Sequence, residues 1–313
     1  MAHPRRFRFG VQLTHAATAA DWAELARRAE DLGYSSLLIP DHFGGQFAPM
    51  PALAAAADAT TDLRVGTLVL DNDYKHPVVT AKEAATIDVL SDGRLELGIG
   101  AGWMASDYDQ SGIPLDPAGV RVDRLAEGID VLKGLFAPGP FSYDGTHYQV
   151  RELDGQPSPV QSPHPPLIVG GGGPRVLALA GREADIVGIN PALRSGRVDA
   201  EAARDGVAAT TDRKLEWVRA AAGGRYSDIE LNMLVLACVV TDDRAGTLEM
   251  MGPLFGLAPD EVGAFPHAWI GTTEQIGDDL LARRDRWDTS YLVVQGVEAM
   301  LAAAPVVARL AGT

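Results

Sequence analysis

The sequence predicts an α/β protein whose parallel strands close into a single (β/α)8 TIM barrel with insertions. About eight short apolar segments alternate with about eight helical segments, which is the order of a parallel barrel. The chain has 313 residues, a length at which an α/β barrel can form one domain. No internal repeat or linker divides it, so we expect one domain over residues 1–313. An open doubly wound sheet is the competing fold.

The predicted strands are short apolar runs bounded by Gly, Pro or charged residues, as buried parallel strands are. They cover residues 7–13, 37–39, 63–70, 94–100, 167–169, 185–189, 231–240 and 291–294.

The predicted helices have apolar residues at a period of three to four. In the first, Trp22, Leu25 and Ala29 share a face, and Gly33 follows its end. Pro77 opens the third. Helices are expected over residues 19–32, 51–59, 78–90, 121–135, 176–180, 200–222, 272–287 and 298–310, with a loosely helical segment at 241–265. Residues 139–166, rich in Pro, Gly and Tyr, are predicted to be an insertion with a hairpin around Asp144-Gly145.

Charge and cysteine content exclude several classes of function. The net charge is −15, with 42 acidic and 27 basic residues, which argues against nucleic acid or an anionic membrane as partner. Cys238 is the only cysteine, so a disulfide framework or thiolate metal cluster is excluded. The basic amino terminus lacks a secretory apolar core, and no run reaches ~18 apolar residues. We expect a cytoplasmic protein.

Two titratable residues, Asp41 and His42, directly follow the buried strand at residues 37–39. Ligands gather at the carboxyl ends of parallel strands, so catalysis is expected here. Alternatively, Asp41 caps the next turn and His42 only packs.

Two glycine-rich segments also follow strands. Residues 98–103 do not make a dinucleotide fingerprint, because Trp103 stands where the third glycine is needed, but they allow a flat ligand to approach the backbone. Gly170–Gly173, with Arg175 beyond them, precede a helix and expose consecutive amides, which predicts an anion site. A flexible hinge is the alternative.

A third polar group, Asp71, Asn72 and Asp73 with Lys75 and His76, ends the strand at 63–70. Its spacing matches no metal motif, so no metal ligand is predicted, although a divalent-metal hydrolase remains an alternative. His76-Pro77 is more typical of a helix start.

Taken together, the sequence resembles the luciferase-like monooxygenase superfamily over nearly its whole length. The matching segments are residues 9–11, 31–34, 40–43, 64–67, 76–77, 90–94, 98–103, 166–174 and 270–272. The resemblance implies a (β/α)8 barrel that binds FMN or the deazaflavin coenzyme F420 at the carboxyl ends of its strands, often beside a non-proline cis peptide, here near Leu68-Val69. Family members are commonly homodimers.

The resemblance also implies site residues. His42 matches the proton donor or acceptor beside the carbon that exchanges the hydride. Cofactor contacts are expected from the third strand, the Gly-rich strand end and the glycine loop: Asp41, Leu68, Val69, Asp71, Ala101, Gly102, Gly170, Gly171, Gly172 and Gly173. Beside these positions, Trp103 offers an apolar wall and Arg175 adds a positive charge, so both are also expected to contact the cofactor.

One residue departs from the family pattern. Trp103 stands where the sugar-phosphate dehydrogenases of the deazaflavin branch carry a glutamate, which argues against sugar-phosphate oxidation. The run at residues 69–74 resembles the deazaflavin-dependent members, so an F420-dependent oxidoreductase acting on a small organic substrate is predicted. The alternatives are an FMN monooxygenase served by a separate flavin reductase, and a barrel without flavin that is a metal hydrolase or a non-catalytic binder.

Overall fold

The computed structural model describes residues 5–313, which contain thirteen strands and twelve α-helices. The strands are β1 (Arg8–Gln12), β2 (Ser36–Ile39), β3 (Arg64–Thr67), β4 (Leu70–Asp71), β5 (Leu95–Gly100), β6 (Pro140–Asp144), β7 (Gln149–Asp154), β8 (Leu167–Gly171), β9 (Ile186–Ile189), β10 (Glu230–Val235), β11 (Ala237–Val240), β12 (Ala268–Gly271) and β13 (Thr289–Gln295).

The helices alternate with these strands. They are α1 (Ala19–Asp31), α2 (Pro49–Ala59), α3 (Pro77–Leu90), α4 (Ala105–Ser111), α5 (Ala118–Phe136), α6 (Pro174–Glu183), α7 (Ala200–Asp205), α8 (Ala208–Ala222), α9 (Arg244–Phe255), α10 (Pro259–Gly263), α11 (Thr273–Trp287) and α12 (Gly296–Leu310), with a 3₁₀ helix at Gly223–Asp228.

Eight parallel strands form a closed barrel, in the order β1, β2, β3, β5, β8, β9, β10 and β13. The pairing of β3 with β5 and that of β13 with β1 leave no free edge. The predicted (β/α)8 barrel is confirmed, and an open sheet is excluded. Short β4 follows an interruption in the third barrel strand and pairs with β5.

The core has two apolar layers, because successive residues of a strand face opposite sides of the sheet. On β2, Leu37 and Ile39 pack toward the helices, whereas Leu38 belongs to a separate interior cluster with Leu68 and Ile168. Near the amino ends of the strands the interior is instead closed by buried Glu96, which accepts hydrogen bonds from Arg8 and Arg64 at 2.7 Å each.

Three predicted elements were wrong in their extent. The apolar run at residues 231–240 is two strands: β10 ends at Val235, and β11 leaves the barrel to pair with β12, a strand that was not predicted. The helix expected at 200–222 is interrupted at Gly206, whose N–H bonds to Ala202 and Ala203 carbonyls and ends α7. The third strand, expected to continue to residue 70, breaks after Thr67.

The predicted hairpin is confirmed, since β6 and β7 pair antiparallel across Asp144 and Gln149. Short α4 was missed, because a helix of about two turns with two aspartates has too little apolar periodicity to be recognised. Among residues 5–313, none of the helices combines the length and apolar character needed to cross a bilayer.

Candidate active site

A cavity of about 710 Å³ opens at the carboxyl ends of the barrel strands. Eight of the predicted site residues line it: Asp41, His42, Leu68, Val69, Asp71, Gly102, Trp103 and Gly170. Five predicted residues are not among the lining residues, namely Ala101, Gly171, Gly172, Gly173 and Arg175. The lone cysteine, Cys238, lies on β11 outside the lining, and burial raises the pKa of its thiol to about 11.

The floor of the cavity is the interruption between β3 and β4. The Leu68-Val69 peptide bond is cis, as the resemblance implied. The Leu68 carbonyl accepts a hydrogen bond of 2.8 Å from buried Gln12 Nε2, and Gln12 Oε1 accepts one from Gln295 Nε2. A Cβ on Gly98 of β5 would lie 2.0 Å from the Thr67 carbonyl oxygen. Only glycine at this position allows β5 to pass so close to the interrupted third strand.

His42 is held at the edge of the cavity by a buried carboxylate. Its Nδ1 lies 2.7 Å from Oδ2 of Asp107 on α4, which also accepts a 3.2 Å hydrogen bond from the Tyr74 hydroxyl. The Trp103 ring meets the imidazole edge-on at a centroid distance of 5.5 Å. Within residues 5–313, Nε2 of His42 has no hydrogen-bond partner. That atom is therefore available to a ligand in the cavity.

Two further carboxylates lie beside this pair. Oδ2 of Asp41 accepts the Asp71 backbone N–H at 3.2 Å, and Oδ2 of Asp71 accepts the Tyr108 hydroxyl at 2.8 Å. Burial raises the pKa of Asp41, and it raises that of Asp71 to about 6. Gly102 has φ +70°, and a Cβ there would lie 1.9 Å from the Tyr108 hydroxyl, so the glycine is required.

The carboxylates in this region do not form a metal site. Asp73 pairs with Arg124 at 2.7 Å, and throughout residues 5–313 no group of three or more His, Cys, Asp or Glu side chains is placed to hold a metal ion. His76 caps α3 by accepting the Val78 N–H at 3.2 Å, as its sequence context indicated. The metal-hydrolase alternative therefore has no ligand set among these residues.

The predicted anion loop lies beside the cavity at the amino terminus of α6. Gly173 is the N-cap residue and supplies no side-chain cap, and a Cβ added to it would meet nothing within 4 Å. Gly172 is different, because its Cβ would lie 2.3 Å from the Ala192 nitrogen. Arg175 donates to Asp123 at 2.6 Å, and both side chains are exposed. The cofactor-binding roles of these residues stay predictions.

Comparison with known proteins identifies the family to which the chain belongs. The family model described as luciferase-like monooxygenase matches residues 5–301. The chain belongs to the luciferase-like monooxygenase family. Its relatives include an F420-dependent glucose-6-phosphate dehydrogenase from Amycolatopsis mediterranei, 30% identical over 220 residues that cover 64% of this chain and 66% of that protein.

A second relative is the oxygenase component of a flavin-dependent trigonelline monooxygenase from Acinetobacter baylyi. It is 31% identical over 166 residues, covering 52% of this chain and 46% of that protein. The chain thus spans about half to two thirds of the length of these curated relatives. The fold resembles that of the coenzyme F420-dependent tetrahydromethanopterin reductase from Methanopyrus kandleri, with a TM-score of 0.78, 19% identity, and coverage of 97% and 99% of the two chains.

Within this family framework, sequence reasoning missed three polar residues of the site. Asp107 and Tyr74 position His42, and Gln12 holds the Leu68 carbonyl. Gln12 had a usable signal, because it is a polar residue at the end of the first barrel strand. Asp107 had none, since it lies 65 positions from His42 in a helix of seven residues.

Proposed function

We propose that this protein is an F420-dependent oxidoreductase, in which a hydride passes between the deazaflavin and a small organic substrate. His42 moves the proton of the substrate oxygen. The observation that carries the proposal is the His42–Asp107 pair, 2.7 Å apart, with the other imidazole nitrogen available to the cavity. A histidine fixed in this way at a strand end is suited to general acid–base catalysis.

The cavity suits a flat cofactor. Leu68 and Val69 supply an apolar floor, and Gly170 presents no side chain to a ligand; a Cβ there would lie 3.2 Å from Asn190 Nδ2. When bound, a deazaflavin supplies a carbon that accepts or donates a hydride. Gly102 and Trp103 would contact its ring system, and the amides at the start of α6 would hold its phosphate.

The proton transfer is the part of the reaction that the chain itself performs. Oxidation of an alcohol removes a hydride, with two electrons, from carbon and a proton from oxygen. Nε2 of His42 accepts that proton, and the charge of Asp107 at Nδ1 stabilises the resulting imidazolium. The Trp103 ring contacts the imidazole edge-on and helps to hold its orientation. Reduction of a carbonyl compound uses the same groups in reverse.

The relatives support both the proposal and its alternative. One relative is named for F420-dependent dehydrogenation, and its alignment covers 64% of this chain. The other is named a flavin-dependent monooxygenase, which favours FMN with O₂ as the second candidate. That candidate requires reduced flavin from a separate reductase, and it predicts consumption of oxygen.

Three broader features belong to the same proposal. We infer that residues 1–313 act as a single catalytic domain, that two copies form a homodimer as family members commonly do, and that the protein acts in the cytoplasm. The acidic charge supports a function without nucleic acid or membrane. Sedimentation equilibrium tests the dimer, which a monomeric mass at micromolar concentration would exclude.

The His42→Ala variant tests the catalytic role. We expect deazaflavin affinity close to that of the unaltered protein and turnover reduced by about 10²- to 10⁴-fold, the usual effect of removing a general acid or base. His15→Ala is the matched control, because His15 is exposed and does not line the cavity. Unaltered turnover of His42→Ala at saturating substrate would reject the role.

A further inference from the structure

One wall of the cavity is apolar and is built by segments outside the barrel. It consists of side chains from the chain after β9, the link between β10 and β11, helix α9 and the loop before β12: Leu193, Val198, Leu236, Leu254, Phe255 and Phe265. We name this set the apolar wall. Phe255 and Phe265 pack together within it, with ring centroids 5.4 Å apart.

Part of the apolar wall is open to solvent at the mouth of the cavity. Leu254 is 77% exposed and Val198 is 72% exposed, although both line the cavity. Large apolar side chains grouped around a cavity are typical of a site that binds an apolar ligand, because a ligand removes their surface from water. The strand ends supply the opposite, more polar side of the cavity.

The charge of the lining restricts the ligand further. No Lys or Arg occurs among the residues that line the cavity, whereas Asp41, Asp71 and Asp199 do. Asp199 accepts hydrogen bonds from Ser195 and from the amide of Ala202, which lowers its pKa and keeps it ionised. An anionic substrate would therefore face carboxylates of the cavity lining.

Four basic residues near the cavity are already engaged. Lys214 is buried, and its ammonium donates to the Asn190 carbonyl and pairs with Asp205. Arg121 donates to the Ala101 and Gly102 carbonyls. Arg124 pairs with Asp73 and Asp116, and Lys75 pairs with Glu83 at 2.7 Å. To bind a phosphate or carboxylate of the substrate, any of these four side chains would first have to leave its present partner.

We propose that the substrate is an uncharged, largely apolar alcohol or carbonyl compound, whose oxygen meets Nε2 of His42 and whose hydrocarbon body lies on the apolar wall. This proposal rests on the proposed function and specifies its substrate class. It sets the protein apart from sugar-phosphate dehydrogenation, the activity in the name of one of its relatives. The hydrophobic contact supplies affinity, and the single polar contact orients the reacting carbon.

Equilibrium binding of two ligands with the same hydrocarbon body tests the proposal without turnover. The probes are 4-tert-butylcyclohexanone and 4-tert-butylcyclohexanecarboxylate, titrated by calorimetry with and without bound deazaflavin, with glucose 6-phosphate as a third ligand. We expect the ketone to bind at least about tenfold more tightly than the carboxylate, since one unfavourable charge contact inside a protein is worth that much or more. Glucose 6-phosphate should not compete.

A variant that adds a cation to the apolar wall tests the same inference in the opposite direction, because it should favour the anionic ligand. Leu254→Lys should weaken ketone binding and strengthen carboxylate binding, so the tenfold ratio of their dissociation constants should become smaller. Met250→Lys is the control, because Met250 lies one turn earlier on α9, is 63% exposed and does not line the cavity. It should leave the ratio unchanged.

The outcomes separate this inference from the proposed function. Equal or tighter binding of the carboxylate or of glucose 6-phosphate would overturn the substrate class, and so would absence of ketone binding to protein loaded with deazaflavin. Failure of the deazaflavin itself to bind would instead overturn the proposed function, whatever the ketone does.

Discussion

Replacing Asp107 with Asn removes the negative charge that faces His42 while keeping the size of the side chain. The two groups lie 2.7 Å apart, and their side chains are only 7% and 23% exposed, so solvent screens them little. A hydrogen bond to a charged group contributes about 1.5–3 kcal/mol net. If that energy is available only while His42 carries the proton, its loss lowers turnover by roughly 10- to 100-fold.

This variant is assayed by anaerobic turnover, with the absorbance of the oxidised deazaflavin as the signal. We expect kcat to fall while the deazaflavin dissociation constant and the unfolding midpoint stay nearly constant. Asp109→Asn is the matched control, because Asp109 is an exposed residue on the same helix. Unaltered kcat for Asp107→Asn, or an equal loss for Asp109→Asn, would refute the positioning role.

Three further predictions concern cofactor binding and stability. Gly173→Asp should weaken deazaflavin binding about tenfold, because a carboxylate at the start of α6 repels the phosphate. Gly173→Asn, which adds similar bulk without charge, should weaken it less, and equal affinities in a fluorescence titration would disprove an anion site. Glu96→Gln should lower the free energy of unfolding in urea by about 1.5–3 kcal/mol, since it removes the buried charge that Arg8 and Arg64 face, while Arg8 keeps its pair with Glu230. Exposed Glu24→Gln should change it little, and similar losses for both variants would contradict this account. Asp71 makes the free energy of unfolding depend on pH. Burial raises the pKa of Asp71 in the folded protein to about 6, so the stability that protonated Asp71 provides at acid pH is lost as the pH rises through 6. Between pH 4 and 7, the free energy of unfolding of Asp71→Asn should therefore rise by about 3 kcal/mol relative to that of the unaltered protein. A difference that stays constant across this range would contradict the raised pKa of Asp71.

The sequence was sufficient to predict the barrel, because strand and helix signals at this spacing are compatible with few other folds. It also predicted part of the cavity lining, since Asp41, His42 and Asp71 follow predicted strands, whose carboxyl ends converge in a parallel barrel. The cis peptide at Leu68-Val69 came from the family resemblance, because apolar residues in a strand give no local signal for it.

The features that were missed depend on contacts between distant segments. The apolar run that forms β10 and β11 contains no break signal, and its division reflects the pairing of β11 with β12. Arg175 appeared free to bind an anion, but it pairs with Asp123 on α5. That exposed pair is worth at most about 1 kcal/mol, so a phosphate can compete for the arginine.

The most direct test of the central claim is a side-by-side equilibrium titration of the purified protein with coenzyme F420 and with FMN, at low and high salt and without oxygen. We expect tighter binding of F420 than of FMN. Affinity should fall as salt rises, because local amides and Arg175 must hold anionic groups on a protein of net charge −15. Tight binding of FMN with no measurable binding of F420 at low salt would contradict the proposed use of F420 and favour the monooxygenase alternative.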